Sequence, residues 1–263
     1  MTAPDVDQPL RDRVAIVTGA ASGIGRAAAL ALGRDGATVA VVDRSGDGAA
    51  STVAALANGR ARAVVADCGE ESDIVRVVEE TVAAYGRLDV VYANAATQWF
   101  GTAEECTPAQ WDATFAVNLR GVWLLAREAL PRMAGSGGGV FLATSSDCAI
   151  RTSPRAAAYT AAKAGLNGLV RSIAVDFGPR GIRANVVTPG VTDTPGLRRL
   201  YSEGGRSAED GIGRAAALSP LGRIGRPEDL GDVVAFLASD GARFITGANI
   251  MVDGGMTVTY GAD

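Results

Sequence analysis

Val14-Ala15-Ile16-Val17-Thr18-Gly19-Ala20-Ala21-Ser22-Gly23-Ile24-Gly25 reads as a buried strand, a glycine-bearing turn and the first turn of a helix. The apolar run Val14 to Val17 has no polar alternation, the pattern of a strand covered on both faces. In the turn, Gly19, Gly23 and Gly25, with Ser22 and Ile24 between them, let the backbone come close to a pyrophosphate. The helix behind them offers free N–H groups and the positive end of its dipole. The spacing is not G-x-G-x-x-G, and a glycine-rich turn with no ligand is written in the same letters. The rest of the chain has to decide.

Working outward, short apolar runs recur at Thr38 to Val42, Ala63 to Ala66, Val90 to Ala93, Val140 to Ala143, Ala184 to Val187 and Ala248 to Val252. Helical stretches separate them: Ile24 to Gly33, Gly48 to Ala57, Ser72 to Tyr85, Pro108 to Met133, Ala156 to Phe177 and Pro227 to Ala238. This alternation predicts an α/β fold, a Rossmann-type doubly wound sheet of about seven mostly parallel strands with helices on both faces. Residues 1–12 read as a flexible tail and 13–263 as a single domain. The segment 194–219 has several glycines and charges and no clear apolar face, so it reads as a flap beside a site.

Composition narrows the chemistry. With 263 residues, 48% of them hydrophobic, the chain supports one large core. The net charge of −4 comes without a basic stripe, which leaves no footprint for nucleic acid or an anionic membrane. A small molecule is the expected partner. No apolar run approaches membrane-spanning length, and Cys68, Cys106 and Cys148 lack a Cys-x-x-Cys pattern, so a cytoplasmic location and no metal are expected. The chain has no histidine at all, which removes Ser-His-Asp and papain-like catalysis and nearly all common zinc sites. Proton transfer falls to Tyr, Lys, Cys or a carboxylate.

Two acids follow strands. Asp43 stands about 20 residues beyond the glycine turn, where a carboxylate hydrogen-bonds adenosine ribose hydroxyls and repels a 2′-phosphate. That favours NAD, although Arg44 beside it is able to turn toward a 2′-phosphate, and an Asp here is also an ordinary loop acid. Asp67, next to Cys68, either accepts from an adenine amino group or caps the helix that begins near Glu70.

Lys163 is the only lysine in a chain with 24 arginines, and it lies four residues after Tyr159. On a helix the two side chains share a face, so an ammonium lies near a phenol and lowers its proton affinity. A Tyr-x-x-x-Lys spacing alone arises often by chance.

Together these features resemble the short-chain dehydrogenase/reductase family, from about Arg13 to Met256. Thr18 to Gly25 matches the family's Thr-Gly-x-x-x-Gly-x-Gly turn, and Ser146, 13 residues before Tyr159, matches its serine. Asn118 matches its asparagine, and Pro189-Gly190-Val191-Thr192-Asp193-Thr194 its Pro-Gly segment. One motif departs: Ala93-Asn94-Ala95-Ala96 stands where the family has Asn-Asn-Ala-Gly, and Ala96 for glycine narrows the allowed backbone angles. The resemblance implies a nicotinamide cofactor and hydride transfer between a secondary alcohol and a ketone. It also implies Tyr159 as general acid and base, Lys163 on the ribose hydroxyls and Ser146 on the substrate oxygen. Asn118 would hold a water that leads to solvent. Pro189, Gly190, Val191 and Thr194 would contact nicotinamide and phosphate. A homotetramer is implied as well.

Tyrosine ionises near pH 10 unperturbed, so the reaction needs it tuned downward. Gln98, Trp99, Phe100, Asp147, Cys148 and the flap are the candidate substrate wall. Trp99 and Phe100 favour an apolar ring or chain, Arg198 and Arg199 a substrate acid, and Cys148 reads equally as a small wall residue. The leading expectation is NAD-dependent oxidation of a cyclic or hydrophobic secondary alcohol. The alternatives are an NADPH-linked ketoreductase, such as a 3-oxoacyl carrier-protein reductase, and a cofactor-binding regulator without turnover.

Overall fold

The computed structural model describes residues 8–56, 59–202 and 207–259. Seven parallel strands form one sheet in the order β3-β2-β1-β4-β5-β6-β7. They are β1 (Val14–Thr18), β2 (Thr38–Asp43), β3 (Ala61–Val65), β4 (Val90–Ala93), β5 (Gly139–Thr144), β6 (Ile182–Pro189) and β7 (Asn249–Val252). The strand order reverses at β1, which pairs with β2 on one side and β4 on the other. A crevice opens at such a reversal beyond the carboxyl ends of the strands.

Alternate residues of the buried strands feed two separate cores. Ile16, Val91 and Phe141 face one side, against Val77 and Val78 of α3 (Glu71–Tyr85), Leu124 and Leu125 of α5 (Gly121–Gly135) and Leu166 of α6 (Ala157–Phe177). Ala15, Val17 and Tyr92 face the other side, against Leu32 of α1 (Gly23–Arg34), Ala49 of α2 (Gly46–Ala55) and Leu230 and Val234 of α9 (Pro227–Ala238). The continuous apolar runs in the sequence are the imprint of this double covering.

The edge strand escapes that rule. β3 begins at Ala61, earlier than its apolar run, because it is half exposed and Arg62 turns outward to Glu80 at 2.7 Å. The stretch expected as one helix from Pro108 is also interrupted. α4 (Pro108–Phe115) starts on a capping box at Thr107 and Gln110, a π segment follows at Ala116–Arg120, and α5 continues. The wide turn places one extra residue in the helix at Asn118, whose buried side chain is bonded across to Thr97.

Of the expected tail, residues 1–7 lie outside the described residues. The remainder is tied down: Leu10 is buried in the α1 core and its N–H donates to the Asp35 carbonyl at 2.8 Å. Within the flap, α7 (Pro195–Ser202) and α8 (Ala208–Ala217) are helical, and residues 203–206 lie outside the described residues. No helix among the described residues is long and apolar enough to cross a membrane, and none of their His, Cys, Asp or Glu side chains cluster as a metal site.

Candidate active site

The glycine turn is built for close approach. Gly19 has φ +65°, and a Cβ there would sit 2.9 Å from the Ala95 Cα; one on Gly25 would be 2.1 Å from the Gly19 carbonyl oxygen. Thr18 and Asn94 lock the turn to the end of β4. The Thr18 hydroxyl accepts from the Asn94 and Ala95 N–H groups at 3.0 and 3.1 Å, and Asn94 Nδ2 donates to the Thr18 carbonyl at 3.1 Å. Thr194 overhangs the turn, since a Cβ on Gly23 would meet its methyl at 3.1 Å. The Pro-Gly segment and the glycine turn therefore form two lips of one cleft. Val191 and Gly190 stand at the end of β6, where the Gly190 N–H donates to the Val252 carbonyl at 3.2 Å.

The cleft runs on along Gly19, Asp43, Arg44, Asp67, Cys68, Ala95 and Ala96. Asp43 Oδ2 accepts from the Ala21 N–H at 3.0 Å and Oδ1 from the Ser45 N–H at 2.9 Å, so this carboxylate also braces the turn. Arg44 reaches across to Asp67 at 3.6 Å. Asp67 is not the helix cap: its Oδ1 accepts from Gly69 N–H at 2.8 Å, and α3 is preceded by Glu70. Burial pushes the Cys68 thiol up to about 12, so this wall of the cleft carries a neutral sulfur. Ala93 is an ordinary core residue at the end of β4. Ala96 needs no left-handed backbone, as the described non-glycine residues with positive φ are Asp12 and Arg155. The two departures from the family motif are therefore accommodated without strain.

At the carboxyl end of β5, Ser146, Tyr159 and Lys163 come together. Lys163 is 1% exposed, its Nζ donates to the Thr144 carbonyl at 2.7 Å and lies 5.7 Å from the centre of the Tyr159 ring. Burial pulls its ammonium down to about 8. Tyr159 moves the opposite way from the tuning expected for it. Burial raises its hydroxyl well above the usual phenol range, the Ser146 hydrogen bond lowers it, and the Cys148 and Asp147 side raises it further. Ser146 Oγ accepts from the Cys148 N–H and lies 3.1 Å from Asp147 Oδ1, to which it donates.

Asn118 is clamped to Thr97 at both ends of its amide: Oδ1 accepts from Thr97 N–H at 2.9 Å and Nδ2 donates to the Thr97 carbonyl at 2.7 Å. Gln98, Trp99 and Phe100 are exposed at the rim. Arg198 is not free for a substrate acid, because it forks onto Asp193 at 2.7 Å through both Nε and Nη2.

Sequence reading missed three participants. Thr144 supplies a backbone carbonyl to Lys163, and its hydroxyl donates to Asn94 Oδ1 at 3.0 Å and pairs with the Tyr92 hydroxyl at 2.7 Å, a role no sequence signal carries. Arg151 links Asp147 to the Met256 carbonyl, and only its i, i+4 spacing from Asp147 hinted at it. Tyr201, on the flap, has its hydroxyl raised by burial, against a lowering by the Arg214 charge, with the Asp147 charge adding a smaller rise.

The donor set fits a dinucleotide: a turn that a Cβ would obstruct, two carboxylates and a neutral thiol along one arm, and a buried ammonium at the other. Comparison with known proteins agrees. The family profile described as Enoyl-(Acyl carrier protein) reductase matches residues 19–257. Cis-4-hydroxycyclohexanecarboxylate dehydrogenase of Sinomonas cyclohexanicum is 39% identical, covering 94% of this chain and 97% of its own length. D-threitol dehydrogenase of Mycolicibacterium smegmatis is 36% identical, covering 97% and 96%. A Burkholderia xenovorans crystal structure assigned to the short-chain dehydrogenases/reductases superposes with TM-score 0.93 at 32% identity, covering 97% of this chain and 100% of that one. The chain belongs to the short-chain dehydrogenase/reductase family, oxidoreductases that bind a nicotinamide dinucleotide.

Proposed function

We propose that the chain is an NAD-dependent dehydrogenase that interconverts a secondary alcohol and its ketone, with Tyr159 as general base in oxidation and general acid in reduction. The observation that carries the reading is the convergence of Ser146, Tyr159 and the buried Lys163 beyond the carboxyl end of β5, in a sheet whose β1 ends in the glycine turn. A bound oxidised nicotinamide would supply the hydride acceptor for the carbinol carbon and a positive charge that favours the Tyr159 phenolate. Ser146 holds the substrate oxygen against Tyr159. Lys163 binds ribose hydroxyls and takes the proton onward, and a water positioned by Asn118 returns it to solvent. With its hydroxyl held high by burial, Tyr159 is protonated in the cofactor-free site, the form a general acid requires.

Asp43 supports NAD over NADP, since a 2′-phosphate there meets like charge, and Arg44 is engaged with Asp67. Gly19, Ser22, Gly23, Ile24 and Gly25 would cradle the pyrophosphate. Asn94, Ala95 and Ala96 would line the ribose, Asp67 and Cys68 the adenine, and Pro189, Gly190, Val191 and Thr194 the nicotinamide end. Asp147, Cys148, Gln98 and Trp99 would contact substrate. Two relatives named for alcohol oxidation, of a ring hydroxy acid and of D-threitol, support the reaction class. A homotetramer is part of the reading, supported by exposed Trp111, Trp123 and Val175 on α4, α5 and α6. Three free cysteines fit the cytoplasm.

NAD and NADP reduction at 340 nm across cyclic, aliphatic and sugar alcohols tests this, with Tyr159→Phe beside the wild type. Turnover with NAD that falls about 100-fold or more in the variant, while NADH still binds, is the expected result. Preference for NADP would instead favour the NADPH-linked ketoreductase. Wild-type turnover in Tyr159→Phe would remove the acid–base assignment.

A further inference from the structure

The reaction above places one charged side chain, Asp147, against the substrate without saying which substrate group it meets. Asp147 begins the short 3₁₀ turn after β5, and its side chain is 17% exposed. Oδ1 accepts the Ser146 hydroxyl at 3.1 Å, and Oδ2 faces Arg151 Nη2 at 3.4 Å. Arg151 is itself tethered, with Nη1 donating to the Met256 carbonyl at 2.9 Å. Asp147 therefore has one oxygen on Ser146 and the other facing a tethered arginine.

We propose that Asp147 selects the substrate: it accepts a second hydroxyl on the carbon next to the carbinol, so that the enzyme prefers neutral vicinal diols and polyols. This rests on the dehydrogenase reading. Ser146 has one hydroxyl proton, and in the cofactor-free site it goes to Asp147. A substrate oxygen held by Ser146 takes that proton away and leaves Oδ1 without a donor in a largely enclosed position. Arg151 does not replace it, being on the other carboxylate oxygen and anchored to the C-terminal segment.

A hydroxyl on the neighbouring carbon does replace it. The two oxygens of a vicinal diol lie about one hydrogen-bond length apart, so the second reaches a carboxylate oxygen that is itself within such a length of Ser146 Oγ. Ser146 then donates to the reacting oxygen while the second hydroxyl donates to Asp147 Oδ1, so each of the two acceptors has its own donor. The bond to a carboxylate is of the stronger kind, and a substrate without the hydroxyl leaves the acceptor unpaired. Sites built on a hydrogen bond reject the analogue that lacks it far more strongly than apolar pockets reject a missing methylene. A substrate acid at the same carbon brings a second negative charge to Asp147. Trp99 and Phe100, which pointed to a hydrophobic alcohol, are 47% and 39% exposed and stand at the rim.

The test compares butane-2,3-diol and threitol with butan-2-ol and 2-hydroxybutyrate, in wild type, Asp147→Asn and Asp147→Ala. The expected wild-type kcat/KM is at least ten-fold higher for the diols. In Asp147→Ala the diol to mono-alcohol ratio falls to near one, with mono-alcohol turnover still measurable. In Asp147→Asn, which keeps the shape and an acceptor, part of the ratio survives and 2-hydroxybutyrate gains. Calorimetric titration of each alcohol into the NADH-bound protein, where no hydride can pass, should give the same ranking in Kd. A wild-type ratio near one, or a high ratio that persists in Asp147→Ala, overturns the proposal and leaves Asp147 as a brace for Ser146. Absence of turnover with every alcohol and both cofactors sinks the dehydrogenase reading itself, and the inference with it. A mono-alcohol preference alone leaves that reading standing.

Discussion

Lys163→Met should change how the stability of the cofactor-free protein depends on pH. The wild-type ammonium is buried, with its Nζ on the Thr144 carbonyl, and burial lowers it from 10.5 to about 8. Between those values the unfolded chain holds a proton on Lys163 that the folded chain has released. Stability therefore rises with pH through this window. Methionine has nearly the same length and no charge, so it removes this linkage and leaves the Thr144 carbonyl unpaired at every pH. The difference in unfolding free energy, wild type minus Lys163→Met, should climb by about 2 kcal/mol between pH 7 and 9.5, at 1.36 kcal/mol for each unit traversed above about 8. Tyr159 and Cys68 act in the opposite direction as pH rises, because their folded forms keep protons that the unfolded chain gives up. Both are present in the two proteins, so their effect cancels in the difference. Urea unfolding at half-unit pH steps, at one protein concentration, measures it. A difference that stays flat to within 0.5 kcal/mol, roughly the margin within which distant effects add, would refute the claim that burial of the ammonium is uncompensated.

Three further outcomes follow from the geometry. Gly19→Ala forces a side chain into a left-handed position 2.9 Å from the Ala95 Cα. It should lower stability by at least about 1–2 kcal/mol and weaken NADH binding ten-fold or more, read by thermal melts and fluorescence titration. Asp89 is 1% exposed and holds Arg13, Arg87 and the Val14 N–H at the opposite ends of the strands from the cleft. Asp89→Ala should destabilise by about 3 kcal/mol, at the low end for a broken buried pair because both arginines are partly solvated, with kcat unchanged. Asn118→Ala leaves the Thr97 N–H and carbonyl without their partners and should cost about 1–3 kcal/mol of stability and reduce turnover, both measurable on one preparation.

Much of this protein was legible in one dimension. Val14 to Val17 and its successors are apolar without alternation because each central strand is covered on both faces, so period and length sufficed for a parallel sheet. Gly19 and Gly25 were legible because no other residue fits their backbone approach. Lys163 stood out because a chain otherwise confined to arginine kept one compact amine where burial leaves room for a single contact. What the letters did not carry were boundaries and partners. β3 broke the apolar rule because an edge strand is covered on one side only. The π segment at Asn118 depends on a bond to Thr97, far away in the chain, and a helical period does not register it. Arg198 looked available until folding brought Asp193 beside it, and Asp147 looked like one more pocket acid until Ser146 was found bonded to it. Local pattern determined the elements and the chemistry they offer, because both follow from residue type and spacing. Only the tertiary structure decided which groups are occupied and which remain to meet a ligand, because those contacts depend on backbone path and side-chain direction, which residue type and spacing leave open even for neighbours such as Ser146 and Asp147.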